Sequence, residues 1–359
     1  MIYIKAYTRI NLGDDLLVTL LCKNNPQQQF CILADSCYKD IFKDLKNLYI
    51  MSDEYEQLQK VKQNYSKFLE LSTKITKKIS QKCDTLIYIG GSIFIEFGSE
   101  SVNRVKQLTK EVKMFKNSYI IGANFGPYVT KEYFNYIHDH LIPSLNYISF
   151  RDTESYNLFK NFSNVRYHPD IVFSMGNINK QKKKEVGFSL VYHLEREKLK
   201  VNYENYLNAL SILIKRYISN GYKIRLLSFC SHEKDPIAID NLLEKLSNEE
   251  KKEILLNYYD GNIEEFLDIF SKLDTVICTR FHSIVLGMMY SCNIIPICYS
   301  NKSYNLLTDL GFNNQIDFSN VEKILDFVPF KLDCKKIDAL RKNAIKHFDY
   351  KKTILELTK

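Results

Sequence analysis

The run Thr279-Arg280-Phe281-His282-Ser283 carries the sharpest chemical signal in the sequence. It follows an apolar, strand-like segment, Thr275 to Thr279, and precedes a segment of helical character. In extended backbone, residues i and i+2 point the same way. Arg280 and His282 are therefore expected to address one site while Phe281 turns into the core. Arginine grips carboxylate or phosphate with a planar fork, and histidine moves a proton near neutral pH. The following helix N-terminus, at Ser283, favours an anion through its dipole. That dipole lowers a histidine pKa and a bound phosphate raises it, so the two influences on His282 oppose each other. An isolated Arg-x-His is more often structural than catalytic, and its place after a strand is what brings it forward.

Three further strand ends carry polar or glycine residues. Asn11-Leu-Gly13-Asp14 follows the first apolar run, where glycine lets backbone amides approach a ligand. Gly90-Gly91-Ser92 offers the same geometry after Thr85–Ile89. It matches neither a dinucleotide fingerprint nor a P-loop. Asp170, after His168-Pro169, is expected to cap a turn or line a site. Only nine of the 50 basic residues are Arg, so each Arg is a more deliberate choice than a Lys where an anion is to be gripped. His138-Asp139-His140 resembles a metal pair, but residues two apart on a helix diverge by about 200°, and no other cluster has ligand spacing. No metal site is expected.

The elements that must position these residues alternate. Apolar runs Ile2–Tyr7, Phe30–Ala34, Thr85–Ile89, Ser118–Ala123 and Asn146–Phe150 end near Gly, Pro or polar residues, with helical segments between, including one read from Asp53 to Gln81. This is the pattern of buried parallel strands. A polar, Lys-rich stretch near residue 180 interrupts it. Alternation then resumes with Glu185–Leu190, Lys223–Ser228, Thr275–Thr279 and Ile294–Cys298. The expected architecture is α/β, with two Rossmann-like domains facing across a cleft. Residues 1–178 form the first domain, 179–184 a linker, 185–332 the second and 333–359 a C-terminal helix. Ligands are expected at the carboxyl ends of the strands.

The 359 residues are 45% hydrophobic and 26% charged, ordinary globular values that exclude extensive disorder. The longest apolar runs are strand-sized, too short to span a bilayer. Nothing at the N-terminus has the form of a signal peptide. Nine cysteines without a Cys-x-x-Cys indicate a reducing, cytoplasmic setting rather than a disulfide framework. Six of them, Cys22, Cys31, Cys83, Cys278, Cys292 and Cys298, sit in apolar stretches and are expected to be buried. The net charge of +8 suits an acidic small molecule, an anionic membrane surface or nucleic acid.

Asn11-x-Gly13-Asp14, Gly90-Gly91, Gly126-Pro127, Arg151-Asp152-x-x-Ser155, Asp170, Arg280-x-His282 and Pro296…Tyr299-x-x-Lys302 occur in this order. The series resembles the polysaccharide pyruvyl transferase family. The resemblance implies a GT-B-like fold and transfer of pyruvate from phosphoenolpyruvate onto a sugar hydroxyl of a cell-surface polysaccharide or its precursor, as a ketal. It implies Arg280 and His282 as catalytic, and Arg151 as a ligand of the donor's anionic groups. Lys302 and Ser283 join the donor site. Asn11, Gly13, Asp14, Gly90, Gly91, Ser92 and Asp170 are expected in the ligand-binding loops. The family's turn is often Gly-Gly-Gly, and here it reads Gly90-Gly91-Ser92. No cofactor is implied beyond phosphoenolpyruvate as donor. The acceptor is expected to be a sugar or a lipid-linked oligosaccharide, met in the cytoplasm or peripherally at the inner membrane face.

Two rival readings stand beside this one. A GT-B glycosyltransferase using a nucleotide-sugar would usually place a carboxylate in the second domain for the donor, yet no Asp or Glu occurs from Thr275 through Thr308. A non-enzymatic protein binding anions or nucleic acid could use the Lys-rich linker. That stretch lacks interleaved aromatics and any recognisable module, so no nucleic-acid partner is expected. Oligomeric state is not legible.

Overall fold

The computed structural model describes residues 1–176, 180–192 and 200–350. The chain groups into two α/β units. The first comprises Met1–Thr8, Asp14–Ser174 and the chain from Lys342. The second comprises Arg9–Gly13 and Met175–Arg341.

The first unit holds a seven-stranded parallel sheet in the order β3-β2-β1-β4-β5-β6-β7. Its strands are β1 (Ile2–Lys5), β2 (Phe30–Ile32), β3 (Leu48–Ile50), β4 (Thr85–Ile89), β5 (Asn117–Ala123), β6 (Tyr147–Phe150) and β7 (Val165–Tyr167). Central strands such as β6 are buried along their whole length, as parallel strands covered on both faces require. Leu86, Ile120 and Ile148 pack in one core with Ile79, Leu108 and Ile137 from the covering segments. β1 has β2 on one side and β4 on the other, so the strand order reverses there.

The second unit holds a six-stranded parallel sheet, β10-β9-β8-β11-β12-β13. Its strands are β8 (Lys183–Ser189), β9 (Lys223–Ser228), β10 (Ile254–Tyr258), β11 (Leu273–Cys278), β12 (Asn293–Cys298) and β13 (Ile316–Asp317). Val186, Leu226, Ile277 and Ile295 form its core with the helix Tyr203–Ser219. The six cysteines expected in apolar positions are buried.

Several boundaries differ from the sequence reading. β8 begins at Lys183, inside the expected linker, because Lys183 already pairs with Leu273 of β11 while its side chain stays exposed and Glu185 onward is buried. Residue 179 lies outside the described residues. Residues 9–13 group with the second unit. The C-terminal segment forms a helix at Cys334–Ala344 and a tighter turn at Ile345–Asp349. Its last described part belongs to the first unit, while 351–359 lie outside the described residues. There, buried His347 joins Ser149 Oγ (2.8 Å) to the Pro169 carbonyl (2.9 Å). The single helix expected over Asp53–Gln81 is two, Ser52–Lys60 and Tyr65–Ser80. Asn64 starts the second by accepting from Lys67 N at 3.1 Å, a side-chain cap that competes with helix continuation.

Candidate active site

In the second unit, β11 delivers the chain to the helix Phe281–Met289, whose N-cap is Arg280 in extended conformation. Helical geometry begins at Phe281, one residue earlier than an extended Arg280-x-His282 requires, so the two side chains do not simply share a direction. Each is held by its own partners from other segments.

Arg280 is 7% exposed. Its Nη1 donates to Glu233 and its Nη2 to Asp235. The open fork expected from the sequence is thus closed on two protein carboxylates, both from the loop after β9. Asp235 is fully buried and also accepts from Phe229 N (2.9 Å) and Cys230 N (3.0 Å). Burial pushes its carboxyl pKa up, while the Arg280 charge and the backbone donors pull against that rise. Arg280 Nε is buried with no hydrogen-bond partner among the described residues. Such a donor costs about 1–3 kcal/mol if left unmet, and a ligand oxygen would satisfy it.

Glu233 extends the network to residues 9–13. Asn11 Nδ2 donates to it at 3.4 Å, and Asn11 Oδ1 accepts from Gly13 N at 3.0 Å. This turn lays Gly13 against His282. A Cβ on Gly13 would stand 1.8 Å from His282 Nδ1 and 2.7 Å from its Cγ. Gly13 is needed there for space alone, and the missing side chain is the seat of the imidazole. The ring meets Phe281 edge-on at 5.1 Å between centroids. Lys302 Nζ lies 5.9 Å from the Phe281 ring centroid.

Ser283 is not a donor ligand in this arrangement. It is fully buried, donates to the Arg280 carbonyl at 2.6 Å and meets Ser189 Oγ at 2.7 Å. Ser189 Oγ in turn accepts from the amides of Thr279 and Arg280. These bonds pin the strand-to-helix turn.

The first unit repeats the device of a side chain seated on glycine. Arg151, 4% exposed, donates from Nη1 to Asp170 (2.8 Å) and from Nη2 to Asn124 (2.9 Å). A Cβ on Gly91 would stand 2.0 Å from Nη2. Both ends of its fork are turned inward, as those of Arg280 are, and tie three strand-end loops together. Asp170 is 1% exposed and also accepts from Val172 N at 2.9 Å, so it caps the turn Ile171–Ser174 rather than lining a site. Asp152 caps the helix Thr153–Phe159 through Ser155 N at 2.8 Å.

The second unit thus gathers Asn11, Gly13, Arg280, His282, Ser283 and Lys302. The first holds Asp14, Gly90, Gly91, Ser92, Arg151 and Asp170. Glu233 and Asp235 escaped the sequence reading. The available signal was two carboxylates directly after β9, at the strand end where α/β proteins place their sites. Among the described residues, no three His, Cys, Asp or Glu gather as a metal site, and no helix is long and apolar enough to cross a membrane.

A family model described as polysaccharide pyruvyl transferase matches residues 11–301. Among solved structures, the chain is similar to UDP-GlcNAc 2-epimerase from Methanocaldococcus jannaschii, at 12% identity and a TM-score of 0.59, covering 99% of this chain and 98% of that one. It is also similar to Anabaena Alr3699/HepE in complex with UDP and glucose, at 8% identity and 0.53, covering 99% and 97%. A glycosyltransferase from Rickettsia africae ESF-5 gives 10% identity and 0.53, covering 99% and 96%. At such identities the likeness is one of fold, and it agrees with a GT-B-like α/β architecture.

Proposed function

The chain belongs to the polysaccharide pyruvyl transferase family, and from that premise we propose that it moves pyruvate from phosphoenolpyruvate onto sugar hydroxyls as a ketal. The observation that carries this reading is the His282 ring seated on Gly13 beside the carboxylate-held Arg280. Adding a sugar oxygen to C2 of phosphoenolpyruvate requires a proton at C3, which turns the methylene into a methyl group. A second sugar oxygen then bonds to C2 as the C2–O bond to phosphate breaks. The two hydroxyl protons go to C3 and to the departing phosphate or solvent.

His282 is the proton carrier in this scheme. Its seat fixes the ring before substrate arrives, which is where positioning contributes to rate. Arg280 is held by Glu233 and Asp235, and in this scheme its remaining N–H groups donate to the donor carboxylate; the Nε–H without a partner among the described residues supports this. Lys302 and the amides that open the helix Phe281–Met289 offset the negative charge brought by the donor. No cofactor is needed for these steps. The nucleotide-sugar alternative has support in the fold shared with the UDP-bound relatives. Against it, the carboxylates found in the second unit beside Arg280 are engaged with that arginine. All nine cysteines are free thiols, which supports a reducing cytoplasmic setting, and the charge of +8 suits the anionic inner membrane face.

The test is incubation of purified protein with phosphoenolpyruvate and lipid-linked or nucleotide-linked sugars. Phosphate release that depends on the sugar supports the reading. Turnover of a nucleotide-sugar with no demand for phosphoenolpyruvate overturns it.

A further inference from the structure

β10 ends the strand order of the second unit's sheet and has β9 as its paired neighbour. The pairing runs residue for residue from Ile254 to Tyr258 without a bulge. Leu255, Leu256 and Tyr258 are 41%, 44% and 40% exposed, and the strand contains no charged residue and no proline. Proteins normally blunt a sheet edge with a lysine, a proline, a bulge or a covering segment, because open backbone groups beside apolar side chains recruit another strand. The other edge strands differ. β3 ends in buried Ile50, Arg166 interrupts β7, and Ile316 of the two-residue β13 is buried.

The backbone sets which groups are open. The Glu253 carbonyl accepts from Ile224 N at 3.0 Å, and Tyr259 N donates to the Ser228 carbonyl at 2.9 Å, both on β9. Backbone groups alternate in direction along a strand, so Leu255 and Asn257 also face β9, and the N–H and C=O groups of Ile254, Leu256 and Tyr258 point outward. When two copies of one strand pair antiparallel, the two-fold axis passes between a residue and its own copy. Centred on Leu256, every outward group finds a partner: Leu256 faces Leu256, and Ile254 faces Tyr258 on either side. Their side chains share one face as an aliphatic pair flanked by two aromatic–β-branched pairs, which are favourable cross-strand neighbours. Beyond the strand ends, the same register brings exposed Lys252 of each copy to exposed Asp260 of the other. Lys252 already meets Glu249 of its own chain at 2.7 Å, an exposed pair worth little that a second carboxylate can share. Moving the centre to Leu255 sets Glu250 against Asp260, and moving it to Asn257 sets Ile254 against Asp260, so charge selects the Leu256 register.

We propose that β10 is a dimerisation edge: two copies of the chain pair antiparallel about Leu256 and join their two six-stranded sheets into one of twelve strands. The pairing depends on no feature of the transfer chemistry.

Sedimentation velocity of the full chain at concentrations up to about 100 μM tests it. A species of twice the chain mass should appear and should dissociate on dilution. Leu256→Lys sets two lysines against each other on the axis and should raise the dimer dissociation constant at least about 100-fold. Lys252→Asp turns both end attractions into repulsions and should raise it about 10-fold, as should Asp260→Lys. Combining Lys252→Asp with Asp260→Lys restores opposite charges and should return the constant close to the parental value, which a local effect at either position would not do. All three positions are exposed, so far-UV circular dichroism of each variant should match the parent; were Leu256→Lys to misfold, the charge exchange still decides. A chain that stays monomeric across the range, a dimer indifferent to Leu256→Lys, or a double variant that associates no better than either single one overturns the proposal.

Discussion

Replacing Gly13 by alanine separates the role of the His282 seat from the stability of the fold. The added Cβ would lie 1.8 Å from His282 Nδ1 and 2.7 Å from Cγ, against about 3.5–4.0 Å for an ordinary contact. Because Cγ is the first ring atom, spinning the ring about its own axis does not clear the clash. The side chain must leave its rotamer. Gly13 itself has an ordinary helical place in Leu12–Asn24, where alanine is favoured over glycine by up to about 1 kcal/mol. The two effects therefore act on different observables. Thermal melting of Gly13→Ala should stay close to that of the parent, since repacking one partly exposed ring opposes the helix gain. Turnover should fall by about 10²–10⁴, as for loss of the proton carrier, with donor affinity little changed. His282→Ala should fall as far, and the double variant no further, because both substitutions remove one function. Steady-state kinetics of the three variants, with melting curves, decide it. A folded Gly13→Ala with near-parental kcat, or additive losses in the double variant, would show that the Gly13 seat does not position His282 for the reaction.

Two further outcomes follow from buried charge. Asp235→Asn should lower the stability of the second unit by about 3–5 kcal/mol, because it removes one partner from a buried pair and leaves Arg280 under-compensated; a melting shift no larger than that of a surface control would contradict this. The His347 pKa is lowered to about 4 by burial, with His168, lowered to about 3 by burial and by His347, against it at 5.0 Å between rings. The unfolded chain therefore takes up protons first, and stability should fall as pH drops from about 6.5 towards 4, by about 3 kcal/mol from His347. His347→Gln should flatten that part of the stability–pH curve measured by denaturant titration, and an unchanged slope would remove His347 as its cause.

The sequence made the central strands legible because each is a short apolar run ending at a polar or glycine residue. β3, β10 and β13 were missed, and all three are sheet edges. An edge strand needs no continuous apolar run: Leu255 and Leu256 of β10 are exposed, and β13 has two residues. Arg280, His282 and Gly13 were visible as residue types at strand ends. Their relations were not, because the Gly13 seat and the Glu233–Asp235 clamp come from segments far apart in the chain. Arg151 and Asp170 show the converse. A strand-end Arg and Asp look like separate ligand groups in sequence, and only the structure shows that they bond to each other in the interior. The docking of His347 carries no periodic signal, since it depends on one side chain meeting Ser149 and the Pro169 carbonyl.

The proposed transfer turns on a proton delivered to C3 of phosphoenolpyruvate as the sugar oxygen bonds to C2. Turnover in D₂O followed by mass spectrometry and NMR of the product tests it directly. The expected product is a pyruvyl ketal whose methyl group carries one deuterium, formed by the parent and strongly reduced in His282→Ala. A product that retains the =CH₂ group as an enol ether, or a sugar product formed without the three-carbon unit, would contradict it.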